Sequence, residues 1–84
     1  MNLDERAHIV YPCEWEYRII GENENRLKEI VFELMPKEYK IQNGKQSSQK
    51  RFVSIYVWVM VQNEQERNMI FSLLSHHPEI KMVI

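Results

Sequence analysis

Between Glu14 and Ile20 the chain alternates, with Trp15, Tyr17 and Ile19 on one side and Glu14, Glu16 and Arg18 on the other. That is the two-residue period of a strand with one buried face, and Gly21 ends it. The period then lengthens. Asn23 or Asn25 can cap a helix with Glu22 or Glu24 in its first turn, and Leu27, Ile30, Val31 and Leu34 follow at helical spacing along one stripe. Pro36 closes the helix, because proline cannot continue the hydrogen-bond ladder. A short strand is expected over Glu38 to Gln42, with Tyr39 and Ile41 on one side. Asn43-Gly44 opens a polar stretch through Lys50, containing Ser47 and Ser48, that reads as a loop.

Phe52 to Val61 is rich in β-branched and aromatic residues and is expected at the centre of a sheet. Asn63 starts a second helix, Glu66 stands three residues on in a capping box, and Met69, Ile70, Leu73 and Leu74 make its apolar stripe. His76, His77 and Pro78 end it. Glu79 to Ile84 gives a last strand, with Ile80, Met82 and Ile84 on one side and Lys81 and Val83 on the other. Two strand-helix-strand units joined by a hairpin around Gly44 predict an α+β ferredoxin-like plait, a four-stranded antiparallel sheet with two helices on one face.

A length of 84 residues allows one domain, expected over residues 11–84 behind a flexible N-terminus at 1–10. So small a core gives a reason to bury more surface against a partner, a second copy included. Eleven Lys and Arg against twelve Asp and Glu leave a net charge of -1. No global field therefore draws the chain to nucleic acid or to an anionic membrane, and any charged partner must be met by a local patch. The one cysteine, Cys13, excludes an internal disulfide, and the first ten residues lack a secretory pattern, so a cytoplasmic protein is expected. The longest apolar run, Ile55 to Val61, has seven residues. A membrane span needs roughly 18.

Three motifs carry a resemblance: Tyr11-Pro12-x-x-Trp15-x-Tyr17-Arg18-x-Ile20-Gly21, then Ser47-Ser48 followed by Lys50, Phe52 and Ser54, and the ending His77-Pro78-x-Ile80-Lys81-Met82-Val83-Ile84. Over Tyr11 to Ile84 the chain resembles the YbeD family of small bacterial proteins, a domain of unknown function. It departs from the family pattern with Trp15 for the usual Phe, Arg18 for the usual Lys, and no glycine between the serines and Phe52. The resemblance implies a ferredoxin-like fold similar to the regulatory ACT domains, in the bacterial cytosol, and supplies no catalytic residue.

The residues themselves point away from catalysis. Cys13 and His8 lack a third group to orient them, and adjacent His76 and His77 diverge and have one cysteine to join them. Two glycines, Gly21 and Gly44, are too few for a phosphate-cradling loop. Glu14 with Glu16 and Glu22 with Glu24 read as solvated charge. No enzyme activity, cofactor or metal site is expected.

The strongest strand is two-faced. Val53, Ile55, Val57, Val59 and Val61 suit packing under helices, which leaves Phe52, Ser54, Tyr56, Trp58 and Met60 for the open face. Exposed aromatics on a sheet are how RNA-recognition domains stack bases, but from Lys50 onward only the basic start and one ring of that signature survive. A candidate contact surface is therefore Ser54, Tyr56, Trp58 and Met60, rimmed by Arg18 and Lys81. It suggests a regulatory or protein-interaction module whose partner is another protein or a second copy. Two other readings are a nucleic-acid binder using the basic hairpin (Lys37, Lys40, Lys45, Lys50 and Arg51) and an ACT-like sensor of a small metabolite. Nucleic acid is the less expected partner.

Overall fold

The nine residues of β1 (Cys13–Gly21) pair without a break against the nine of β3 (Val53–Val61), from Cys13 opposite Val61 to Gly21 opposite Val53. The computed structural model describes residues 9–44 and 51–84. The remaining elements are α1 (Glu24–Leu34), β2 (Tyr39–Asn43), α2 (Glu64–Ser75) and β4 (Ile80–Val83). β2 joins the free side of β3 and β4 the free side of β1, so the sheet order is β2-β3-β1-β4 with every pair antiparallel. This is the ferredoxin-like βαββαβ plait that the periodicity predicts. Residues 1–8, with most of the expected flexible segment, and residues 45–50, with most of the expected loop from Asn43 to Lys50, lie outside the described residues.

Odd-numbered positions of the central ladder face the helices. Tyr17 and Ile19 of β1 and Ile55, Val57, Val59 and Val61 of β3 are buried there against Leu27, Ile30 and Val31 of α1 and Ile70 and Leu74 of α2. Each helix starts where an asparagine satisfies an orphan N–H: Asn23 Oδ1 accepts from the Arg26 amide at 2.9 Å, Asn63 Oδ1 from the Glu66 amide at 2.8 Å. Glu66 reaches back as in a capping box, but its carboxylate accepts from the Gln62 N–H at 2.7 Å, one residue before the cap.

Two expectations are corrected. In α2, Met69 is 46% and Leu73 38% exposed, so the buried line narrows to Ile70 and Leu74. The strand this helix packs on most, β4, is only four residues long and cannot cover a broader stripe. In β4 itself Val83 lies opposite Ile19 and Met82 opposite Ile20, but Ile80 lies opposite Gly21, leaving Lys81 as the extra residue of a bulge. Alternation breaks there. Ile80 and Val83 are buried together, while Met82 is 54% and Ile84 61% exposed.

The Tyr11 to Tyr17 segment closes one end of the helix layer through Arg67 on α2. Tyr17 Oη donates to the Arg67 carbonyl at 2.5 Å, Arg67 Nη1 donates to Tyr11 Oη at 2.9 Å, and the guanidinium lies 4.5 Å from the Trp15 ring centroid. Burial pushes the Tyr17 hydroxyl up to about 12, against a smaller downward pull from Arg67. A tyrosine raised above its usual value of 10.0 is neutral and harmless below pH 10, and costs stability as pH climbs toward 12, because the unfolded chain ionises first. Tyr17→Phe is expected to lower stability at pH 7 by about 1 kcal/mol through the lost hydrogen bond. In denaturant titrations its stability is expected to fall less between pH 10 and 12 than that of the wild type; parallel curves would contradict the assignment.

Gly21 is needed for space. Its φ is not positive, but a Cβ there would stand 2.6 Å from Leu27 Cδ2 and 3.2 Å from the Glu79 carbonyl oxygen. Gly21→Ala is expected to destabilise by roughly 1–3 kcal/mol, as overpacked cores do, and Leu27→Val in the same chain should recover part of that loss in thermal melts.

Candidate functional site on the open sheet face

Even-numbered positions of the same ladder point away from the helices. Glu16 stands opposite Trp58 and Arg18 opposite Tyr56 on β1 and β3, with Glu14 opposite Met60 on the next rung outward. On the other side of β3, Lys40 lies opposite Trp58 and Gln42 opposite Tyr56. The Tyr56 and Trp58 rings stack at 6.0 Å between centroids with 22° between planes, and the Arg18 guanidinium sits 5.6 Å from the Tyr56 centroid. Both rings are half-buried and Met60 is exposed. Among the described residues no helix packs on this face, and Gly44 covers only its Ser54 end.

At one end the face deepens into an open groove of about 550 Å³, floored by Trp58 and Met60 with Tyr39 beside them. Its walls are charged in alternation by Glu14, Lys37, Glu38 and Lys40. Lys40 Nζ reaches over β3 to Glu14 Oε2 at 3.4 Å, a pair between exposed groups that contributes little to stability. Lys37 turns to the helix side and meets Glu66 Oε2 at 3.0 Å.

Of the surface expected from the sequence, Arg18, Tyr56, Trp58 and Met60 are brought together on one face. Ser54 shares that face but is buried beneath Gly44, whose N–H donates to the Ser54 carbonyl at 2.8 Å. Lys81 stands apart, because the bulge turns it to the end of β1, 3.9 Å from Glu22. Of the basic run, Lys45 and Lys50 lie outside the described residues, Lys37 and Lys40 are tied to carboxylates, and Arg51 lies 5.7 Å from the Phe52 ring. The residues missed by sequence reasoning are Glu14 and Glu16, which flank Trp58 and Met60. Their shared parity with Arg18 was visible, but their rung partners needed the register.

The other candidate groups serve the backbone. His76 Nδ1 lies 2.8 Å from the Ser72 carbonyl and so carries a proton, and His77 Nδ1 accepts from the Glu79 N–H at 3.1 Å. Both rings finish the exit from α2. Cys13 is half-buried at the start of β1, and His8 is outside the described residues. Among the described residues no three of His, Cys, Asp and Glu converge as metal ligands, and no helix is long and apolar enough to cross a membrane.

A family model described as "Protein of unknown function (DUF493)" matches residues 6–84. The chain belongs to that family. Uncharacterised proteins from two Helicobacter pylori strains are 35% and 38% identical to it, each match covering 84% of both chains. The uncharacterised protein Cj0253 from Campylobacter jejuni is 30% identical over 88% of this chain and 86% of its own length. The solution structure of protein HP0495 from Helicobacter pylori, 33% identical, superposes with a TM-score of 0.76 over 92% of this chain and 86% of that one. A second solution structure of HP0495 gives a TM-score of 0.66 over 88% and 87%. These relatives thus share the fold and bring no described activity.

The Lys37–Glu66 contact makes a testable electrostatic link between the β2 approach and α2. The Gln62 N–H first, and Lys37 second, hold the Glu66 carboxyl below the usual carboxylate range. A lowered carboxyl stabilises the fold above its ordinary pKa of 4.5 and loses that contribution as pH falls below it. Glu66→Gln is expected to lose less stability than the wild type between pH 5 and pH 3 in urea melts; an unchanged acid limb would contradict the link.

Proposed function

We propose that this DUF493 chain is a small non-catalytic interaction module that works by docking its open sheet face onto a protein surface. The observation that carries the reading is the stacked Tyr56–Trp58 pair, continued by Met60, on the sheet face away from both helices. Tryptophan and tyrosine ringed by charge are the composition of an interface centre with a polar rim. Arg18 and the Glu14–Lys40 pair supply such a rim here.

The nucleic-acid reading draws less support from the same face. Glu14 and Glu16 flank Trp58 and Met60, so a phosphate backbone laid across the rings would meet like charge. Lys37 and Lys40 already hold carboxylates.

A photo-crosslinking residue at Met60 is expected to give protein adducts in native cytosol, and one at exposed Glu33 on α1 is not. Adding Trp58→Ala should abolish the Met60 adducts. Equal adducts from both positions, adducts indifferent to Trp58, or adducts to RNA in place of protein would overturn the proposal.

A further inference from the structure

We propose that the occupant of the open face is a second copy of this chain, related by a two-fold axis that lies in the interface and crosses the strands between the Glu16–Trp58 and Arg18–Tyr56 rungs. This rests on the interaction reading above and adds the partner and the register.

The argument begins with two exposed charges. Glu16 and Arg18 are same-face neighbours on β1, roughly 7 Å apart along the strand. Among the described residues neither has an ion pair: Arg18 lies over the Tyr56 ring, and the Glu16 side chain makes no hydrogen bond or ring contact there. A surface that carries an unpaired anion one rung from an unpaired cation is complementary to itself under rotation. A two-fold across the strands at the level between them exchanges the rungs. Each Glu16 then faces Arg18 of the second copy, and each Trp58 faces Tyr56 of the second copy. Two ion pairs flank two ring pairs.

The competing two-fold, along the strands, would set the Glu16 carboxylate over the Trp58 ring of the second copy. The face of an aromatic ring is negative, so the Glu16 contact repels, and Arg18 would meet only a Tyr56 ring that already carries its own chain's Arg18. Face-packed sheets cross at about 30°, so only the rungs beside the axis meet directly. The Glu14–Lys40 pair, one rung out, stays on the rim with its charges already matched. A two-fold contact closes on itself, and growth stops at the dimer. The ring pairs supply the burial, and the charge pairs set register more than strength.

Sedimentation equilibrium on the whole chain, from on the order of 1 μM to 1 mM, tests this through paired charge reversals. The wild type is expected to dimerise. Glu16→Arg alone leaves two cations on each chain and Arg18→Glu alone two anions, so each variant by itself should associate roughly tenfold or more weakly than the wild type. An equal mixture of the two variants restores opposite charges across the axis and should recover dimers, and the doubly reversed chain should dimerise as the wild type does. Both positions are exposed, and far-UV circular dichroism checks that the variants fold. A monomeric wild type, single variants that associate as well as the wild type, or a mixture that stays monomeric would overturn the second copy as occupant. If the wild type is monomeric while Met60 still crosslinks a different protein, only the self-partner falls; if Met60 crosslinks nothing, the interaction reading falls with it.

Discussion

The unbroken nine-residue ladder between β1 and β3 is the constraint on which the rest of the molecule depends. An antiparallel register sends alternate residues to opposite faces, and a slip of one residue would exchange the faces along the whole strand. Here the odd face of β3 is aliphatic and fits under two helices, whereas its even face carries serine, tyrosine, tryptophan and methionine. Burying Trp58 and exposing Val57 would strand a large ring's indole N–H in the core and lose close packing, so one register wins clearly. Helix placement, groove position and the neighbours of each open-face charge all follow from that choice.

The Tyr11 to Gly21 segment works for the covered side. Trp15 lies under the Arg67 guanidinium, Tyr17 bonds the Arg67 carbonyl, and Gly21 yields room to Leu27. Three of its most distinctive residues thus fasten β1 to α1 and α2. Arg18, within the same segment, has the opposite parity and belongs to the open face. One short stretch of sequence therefore serves both the fold and the surface, divided by alternation alone. At the other end of the helix layer, Arg26 holds Glu79 through Nε at 3.0 and 3.1 Å and Nη2 at 3.0 Å, which ties α1 to the approach to β4 and raises the guanidinium's already high pKa.

Element order, both asparagine caps and the split of β3 into two faces were legible, because each is written in local periodicity or in a capping residue. Features that depend on contacts between elements were not. The bulge at Lys81 arises from pairing with Ile20 and Gly21, and no signal within Glu79 to Ile84 marks it. Met69 and Leu73 have helical spacing suited to burial, but how wide a stripe is covered depends on the length of β4 beneath. Ser54 has the parity of a contact residue and is lost to Gly44, from across the hairpin. Arg67, exposed-looking in a polar run of α2, gains its role from Tyr11, Trp15 and Tyr17, fifty or more positions away.

The carboxylates on the open face bear on what the face can accept. An aromatic strip with no charge beside it would be a general adhesive, prone to association with any apolar surface. Glu14, Glu16, Arg18 and Lys40 place both signs within two rungs of Trp58, so a docking surface must match alternating charge as well as shape. Polyanions meet the glutamates, and strongly cationic surfaces meet Arg18 and Lys40. The partner best matched to such a pattern carries both signs at the same spacing, and the spacing itself is set by the strand rise. A surface that fulfils this without further adjustment is the same strand pair, turned over.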